Sequence, residues 1–191
     1  MRTAKTKRKT LETTITIEVN LDGGGRCESD TGIRYLDHML NTLAKHSLID
    51  LKVKATGDLK HHVVEDTAIT LGEALSKSLG NRFGITRFGY ATIPMDDSLA
   101  SSSIDLVKRP HSQINLKIER ETVEDMTRED IQHFLQSLSQ SLEATVHLKT
   151  EYGEDDHHKV EASFKALAIA LRQAMMIDPR RKTPPSAKGV M

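Results

Sequence analysis

The chain has 191 residues, enough for one domain or two small fused domains around a buried core. Lysine plus arginine and aspartate plus glutamate both number 27, so no overall field draws the protein to nucleic acid or to an anionic membrane surface. Aromatic residues make up 4% with no tryptophan, which argues against binding of single-stranded nucleic acid by base stacking.

The single cysteine, Cys27, excludes a disulfide within the chain. No apolar run approaches the roughly 18 residues that a membrane-spanning helix needs. The basic stretch from Met1 to Lys9 is followed by no apolar segment. We therefore predict a cytoplasmic protein without a signal peptide, and we interpret the basic arm before Thr10 as a solvated edge.

The first half of the chain predicts the order strand, helix, strand, helix. Apolar and polar residues alternate over 15–21 and again over 49–55, as half-buried strands require. A helix is predicted over 35–45. The second helix begins at His61 and ends before Gly80, a typical stop residue.

The second half repeats this order. Strands are predicted over 87–93, 99–107 and 114–118. A helix capped by Thr127 follows, then a strand over 145–149 and a long helix that ends near Met176, before Asp178-Pro179. The pattern predicts an α+β fold of two tandem duplicated units, each a mainly antiparallel sheet with helices on one face. We place the units at 1–84 and 85–191.

A sequence repeat links the two halves. Residues 61–75 read HHVVEDTAITLGEAL and residues 157–171 read HHKVEASFKALAIAL, an offset of 96 at which seven of fifteen positions coincide. Upstream, His38 and His133 begin the similar segments HMLNTL and HFLQSL. Each half therefore carries an isolated histidine followed by His-His-x-x-Glu.

These histidines and glutamates are spaced as metal ligands on helices. Residues four apart lie on one helix face, so His61 and Glu65 can bind one ion together, while His62 points roughly 100° away. The second His-His-x-x-Glu divides in the same way. With the isolated histidines, the set suffices for two sites of three histidines and one glutamate, and suits Mn, Fe, Co or Zn. The spacing leaves open which halves share a site and whether one chain supplies it.

A single His-His pair is often only an exposed helix start, but two copies in register favour metal binding. The surrounding sequence resembles imidazoleglycerol-phosphate dehydratase along nearly the whole chain. The motifs that carry the resemblance are Thr31-Gly-Ile, Leu36-Asp-His-Met-Leu40, Ala55-Thr-Gly-Asp58, His61-His62-x-x-Glu65-Asp66, Arg87-Phe-Gly89, Asp105-Leu, Arg109-Pro, His133-Phe, His157-His158-x-x-Glu161-Ala-x-Phe-Lys-Ala166, Asp178-Pro-Arg-Arg181 and Ser186-Ala-Lys-Gly189.

The resemblance implies a metal-dependent lyase of histidine biosynthesis that removes water from imidazole glycerol phosphate to give imidazole acetol phosphate. It implies a fold like that of ribosomal protein S5 domain 2, two Mn²⁺ ions per site, and self-association into a 24-mer with sites between subunits. The partner is then a small phosphorylated imidazole, with no nucleic acid and no membrane. Metal-assisted hydrolysis and a non-catalytic assembly stapled by metal are the alternatives.

Residue roles are carried over by position. The implied metal ligands are His38, His61, His62, Glu65, His133, His157, His158 and Glu161. The implied substrate-binding residues are Glu12, His38, His46, Arg87, Arg109, Ser186 and Lys188, the last four of which would hold the phosphate. The implied catalytic residues are Glu65, Glu161 and Asp96. The chain departs from the family in a shorter link, 57–60, before the first His-His pair, and at Ala187, where serine is common.

Overall fold

Residues 1–189, which the computed structural model of the chain describes, form two copies of one α+β unit. The first unit comprises β1 (Thr3–Lys9), β2 (Thr13–Asn20), β3 (Cys27–Asp30), α1 (Arg34–Ser47), β4 (Asp50–Gly57) and α2 (Lys60–Leu79). The second comprises β5 (Phe88–Met95), β6 (Ser98–Asp105), β7 (His111–Asn115), the hairpin of β8 (Thr122–Val123) and β9 (Met126–Thr127), α3 (Arg128–Ser141), β10 (Thr145–Tyr152) and α4 (Asp156–Met175). Among the described residues, only the hairpin lacks a counterpart in the first unit.

Each unit contains a four-stranded sheet of the same topology. The strand orders are β1-β2-β4-β3 and β5-β6-β10-β7. In each sheet two pairings are antiparallel and the last is parallel. The predicted α+β class with mainly antiparallel sheets is therefore confirmed. The boundary predicted between residues 84 and 85 falls in the link between α2 and β5, and the division into domains there stays a prediction.

The basic arm, which the sequence predicts as a solvated edge, is the edge strand β1. Its residues 3–9 pair with β2 along their whole length, and alternate side chains are exposed. The alternation of β1 is hard to see in the sequence, since its inward positions carry Ala4, Thr6 and Arg8 between lysines. The strand predicted over 114–118 ends at Asn115.

The helices of one unit pack against those of the other. α1 lies on α4 and α2 lies on α3, and a single core of buried apolar residues runs through both units. α2 approaches the end of α3 closely at Gly72, where a Cβ atom would meet Leu142 N and Ser141 Cβ at 2.7 Å. A residue without a Cβ lets the two helices come this near.

Arg82 fastens the ends of the same two helices. Its side chain is fully buried, and its guanidinium donates to the carbonyl oxygens of Leu142 at 2.6 Å and Glu143 at 2.8 Å. Carbonyl groups at a helix C-terminus have no partner within the helix and carry partial negative charge. A cation in this position therefore satisfies the end of α3 and holds the residues after α2 against it.

The longest helices in residues 1–189 are α2 and α4, with 20 residues each. None of the helices in this part of the chain combines the length and the apolar character that crossing a membrane requires.

The tight contact at Gly72 predicts that Gly72→Ala destabilises the fold. Alanine is favoured over glycine inside a helix by about 1 kcal/mol, but a Cβ forced against a neighbouring backbone costs about 1–3 kcal/mol. We expect a lower midpoint in chemical unfolding of the metal-stripped protein at one fixed protein concentration. Gly24→Ala is the control, because nothing lies within 4 Å of a Cβ there. A midpoint for Gly72→Ala at or above that of the unchanged protein would contradict the prediction.

Candidate metal centre

The packing of α1 on α4 creates a first ligand cluster. His157 and Glu161 lie one turn apart on α4, and His38 reaches them from α1. Glu161 Oε2 lies 3.2 Å from His38 Nε2 and 3.4 Å from His157 Nε2. The three ligand atoms lie within 4.8 Å of one another, which is a span that one ion can bridge.

The packing of α2 on α3 creates a second cluster of the same composition. His61 and Glu65 lie on α2, and His133 lies on α3. The rings of His61 and His133 stack at 5.3 Å between centroids, and His133 Nε2 lies 3.8 Å from Glu65 Oε1. The ligand atoms again lie within 4.8 Å of one another. Both clusters therefore combine residues of the two units, which the spacing alone left open.

His62 and His158 belong to neither cluster. Each follows a cluster histidine directly, so the helix turns its ring to another side. His62 Nδ1 donates to Asp58 at 2.8 Å, and His158 Nδ1 donates to Asp97 at 2.5 Å. These bonds raise the pKa of both histidines and hold the pKa of Asp97 well below its usual range. Each cluster thus holds two of the three predicted histidines.

Each cluster opens into a cavity. A cavity of about 440 Å³ lies at the first cluster and is lined by Arg34, Tyr35, His38, Glu124, Asp125 and His157. A cavity of about 360 Å³ lies at the second and is lined by His61, Glu129, Gln132, His133 and Gln136. A larger cavity of about 520 Å³ lies on the outer face of the first sheet, where its charged residues Lys5 and Glu18 pair with each other. That cavity contains no histidine.

Glu161 is held as a carboxylate by its neighbours. Burial raises its pKa, but hydrogen bonds from Lys165 and His38 outweigh burial, so the pKa is lowered overall. Lys165 Nζ lies 2.8 Å from Glu161 Oε1. Burial and the nearby Lys165 also lower the pKa of His46, at the end of α1. No role was predicted for Lys165 from the sequence, although its spacing of four residues from Glu161 is typical of an ion pair on a helix.

Tyr35 packs beside the first cluster. Its ring lies 6.3 Å from that of His38 and 5.1 Å from that of His157, measured between centroids. Burial and the negative charge of Glu161 raise the pKa of the phenol, so Tyr35 stays neutral. Its role is therefore to support the two imidazole rings.

Carboxylates also hold the cluster histidines. His61 Nδ1 donates to Asp130 at 2.7 Å, and His157 Nδ1 donates to Glu124 at 3.1 Å. Together with Asp58 and Asp97, these carboxylates give every histidine of the two His-His pairs an acceptor at Nδ1. None of these four roles was predicted from the sequence. The shortened link before His61 carries Asp58, which bonds His62.

Glu12 and Asp96 lie near His62 and His158, which we call the outer histidines because they lie outside the two clusters. Glu12 Oε2 is 3.8 Å from His62 Nδ1, and Asp96 Oδ2 is 3.5 Å from His158 Nε2. Glu12 lies between β1 and β2, and Asp96 lies in the corresponding turn between β5 and β6. The two residues therefore occupy related places in the two units.

Among the residues that the family resemblance implies for phosphate binding, Arg87 forms an ion pair with Asp105. It donates to the two carboxylate oxygens of Asp105 at 2.7 and 2.9 Å, which raises its pKa, and its Nη1 donates to the carbonyl of Pro185 at 2.7 Å. It thereby holds the C-terminal tail. Next to Pro185, the Ser186 hydroxyl accepts from the backbone N–H of Lys188 at 3.2 Å, and Arg109 is exposed elsewhere. No hydrogen bond or ion pair within residues 1–189 joins these four residues to either cluster.

Comparison with known proteins gives one consistent result. A family model described as imidazoleglycerol-phosphate dehydratase matches residues 31–171. A relative of that name from Dehalococcoides mccartyi is 47% identical over 191 residues, covering all of this chain and 97% of the relative. The chloroplastic relative from Pisum sativum is 46% identical over 194 residues, covering all of this chain and 69% of the relative.

Solved structures agree. The imidazoleglycerol-phosphate dehydratase of Staphylococcus aureus matches with a TM-score of 0.85 and 30% identity, covering 92% of this chain and 99% of the other. The enzyme from Pyrococcus furiosus matches with a TM-score of 0.83 and 38% identity, covering 97% of this chain and 100% of the other. Sequence and fold therefore confirm the resemblance, and the chain belongs to the imidazoleglycerol-phosphate dehydratase family.

Proposed function

We propose that the chain dehydrates imidazole glycerol phosphate to imidazole acetol phosphate at a site that holds two divalent metal ions. The dehydratase activity and its place in histidine biosynthesis follow from family membership. The observation that carries the metal proposal is the pair of ligand clusters, each with two imidazoles and one carboxylate within 4.8 Å. One ion is bound by His38, His157 and Glu161, and the other by His61, Glu65 and His133.

The donor set fits divalent transition metals. Imidazole and carboxylate without thiolate suit Mn, Fe, Co and Zn, and three protein ligands leave positions for a further histidine and the substrate. We propose Mn²⁺ at both positions. Glu161, with its lowered pKa, is ready to bind a cation without first losing a proton.

His62 and His158 are proposed to bind metal at sites between subunits. Each cluster lacks one of the three histidines that the sequence predicts, while these two rings face away from the clusters of their own chain. A neighbouring copy that supplies its outer histidine would complete each set of three histidines and one glutamate. We propose that such contacts build a closed assembly of twenty-four copies.

Dehydration requires a base that takes a proton from carbon and an acid that assists departure of the hydroxyl group. When bound, divalent ions supply Lewis-acid activation of the imidazole ring, which acidifies the adjacent carbon. Glu65 and Glu161 act from within the clusters as ligands. Asp96 is exposed and lies 3.5 Å from His158 Nε2, so its carboxylate can move a proton to or from a substrate beside the metals. Glu12 and His46 are proposed to contact the substrate.

Phosphate binding is proposed for the arginines and the tail. Arg109 and Lys188 are exposed cations, and the Ser186 hydroxyl lies between Pro185 and Lys188. Arg87 is fixed by Asp105 and by the tail carbonyl of Pro185, so it positions Ser186 and Lys188. A purely structural assembly would have no need of this anion-binding set. A hydrolase would release phosphate or an acyl group, and family membership favours the dehydratase.

The first test is turnover by metal-stripped protein. We expect imidazole acetol phosphate to form only after Mn²⁺ is added. The clusters consist of metal ligands, so the Lewis acid that activates the imidazole ring has to be the added metal. Inorganic phosphate is measured in the same reaction as the product of a competing hydrolysis. Full dehydratase activity in protein shown to be free of metal would contradict the proposed metal centre.

The second test asks whether sites form between copies. His38→Ala and His62→Ala each remove one ligand, and we expect both variants to have low activity alone. Mixed after metal removal and reassembled with Mn²⁺, they should regain part of the activity, since an intact His38 of one copy meets an intact His62 of another. A mixture of His38→Ala and His157→Ala is the control, because both changes damage the same cluster in every copy. Recovery in neither mixture would contradict shared sites.

The third test concerns the tail. Arg87→Lys removes the planar fork that bonds both oxygens of Asp105 and the carbonyl of Pro185 at once. We expect faster trypsin cleavage after Arg181 and Lys182, followed by mass spectrometry of the intact chain, and a higher KM for substrate. Arg109→Lys should leave the cleavage rate unchanged, because the structure shows no bond from its side chain to the tail within residues 1–189. Equal cleavage rates for the two variants would count against a tail held by Arg87.

A further inference from the structure

One short segment contacts three of the four helices that carry cluster residues. The turn of the β8–β9 hairpin carries Glu124 and Asp125, and the first turn of α3 carries Asp130. Glu124 bonds His157 of α4 and Asp130 bonds His61 of α2. The carboxylate of Asp125 accepts from the backbone N–H groups of the first residues of α1. Residues 124–130 therefore contact histidines of both ligand clusters.

Asp125 substitutes for a missing helix cap. The residue before α1 is Ile33, whose side chain cannot accept a hydrogen bond. The Asp125 oxygens lie 2.9 Å from the backbone nitrogens of Arg34 and Tyr35. A carboxylate at this place satisfies free N–H groups and complements the positive end of the helix dipole. The hairpin thereby fixes the start of the helix that carries His38.

Glu124 and Asp130 fix the proton on the cluster histidines. An ionised carboxylate only accepts hydrogen bonds, so Nδ1 of each bonded imidazole must carry the hydrogen. The neutral ring then presents the lone pair of Nε2, and in His157 this atom faces Glu161 Oε2 at 3.4 Å. Such a carboxylate partner sets both the tautomer and the direction of a metal-binding imidazole.

Local features indicate that these contacts are maintained at a cost. Glu124 has a φ of 53°, in the left-handed region that non-glycine residues rarely adopt. The Asp130 side chain is only 10% exposed, and a buried carboxylate is unfavourable without strong hydrogen-bond donors. His61 is such a donor, and the Thr127 hydroxyl accepts from the Asp130 N–H at 3.0 Å and so holds the turn.

We propose that Glu124 and Asp130 are positioning residues: Glu124 orients His157 and Asp130 orients His61 for metal binding. This inference rests on the proposed metal centre. The second histidine of each pair has a different partner, Asp58 or Asp97, outside this segment. The segment therefore orients the first histidine of each pair. These are His61, which lies on α2 beside His133 of α3, and His157, which lies on α4 beside His38 of α1.

The test measures Mn²⁺ affinity of the metal-stripped full-length chain by competition with a fluorescent chelator. Loss of a carboxylate partner typically weakens metal binding about 10–100-fold, and we expect this for Asp130→Leu. Glu129→Leu is the matched control, since it removes a carboxylate from the same helical turn. Glu129 lines the cavity at this cluster but makes no hydrogen bond to His61 within the described residues. Equal weakening by both variants would assign the effect to net charge and overturn the proposal.

Single-cluster backgrounds separate the two contacts. In His38→Ala protein the cluster on α2 and α3 keeps its own three residues. In this background Asp130→Leu should weaken Mn²⁺ binding, whereas Glu124→Ala should not. In His133→Ala protein the cluster on α1 and α4 keeps its three residues. In this background Glu124→Ala should weaken Mn²⁺ binding, whereas Asp130→Leu should not. Weakening of both clusters by either substitution alone would overturn the assignment of one carboxylate to each histidine.

Folding and the metal centre are checked separately. Circular dichroism and the unfolding midpoint of each stripped variant show whether it is folded. Asp130→Asn keeps the shape and one acceptor oxygen, so it should recover part of the affinity that Asp130→Leu loses. If the unchanged chain binds no Mn²⁺, the proposed metal centre fails. If the unchanged chain binds Mn²⁺ and folded Asp130→Leu and Glu124→Ala bind it equally well, only the positioning role fails.

Discussion

The site depends on one constraint, the packing of helices from one unit against helices from the other. α2 reaches α3 closely enough to exclude a Cβ at Gly72, and Arg82 fastens the ends of the same pair. This contact sets His133 against Glu65, and the packing of α1 on α4 sets His38 against Glu161. Neither unit contains a complete cluster within itself. Both clusters therefore lie where the two units meet, and anything that separates the helices also separates the residues of each cluster.

Much of this architecture could be predicted from the sequence, because it follows from periodicity. Alternation predicted β2 and β4, and the spacing of His157 and Glu161 predicted that they share one face of a helix. Periodicity shows which face of an element is turned inward but does not show what lies opposite. For this reason the combination of His38 with the second unit stayed open until the packing of α1 was known.

The carboxylate partners were missed for a related reason. A search for repeats selects what the halves have in common, whereas Glu124 belongs to a hairpin that, within the described residues, only the second unit has. Asp130 is 69 positions from the histidine that it bonds, and its place after Thr127 is that of an ordinary acidic residue near a helix start. The edge strand β1 was obscured in the same way, because lysines alternate with small or polar residues and its burial comes from tertiary contacts.

The incomplete clusters give the proposed metal centre a consequence for assembly. Two imidazoles and a carboxylate hold a divalent ion less firmly than a set completed by a third imidazole. In the proposed assembly, an ion would therefore gain affinity when another copy contributes His62 or His158, and by linkage the same free energy would favour association of the copies. Asp58 and Asp97 would contribute to this balance, since each bonds Nδ1 of a histidine that lies outside the clusters of its own chain. Orientation before contact lowers the entropy lost when the fourth ligand is added. Metal binding, subunit contact and the formation of a site for the imidazole substrate then become a single coupled equilibrium.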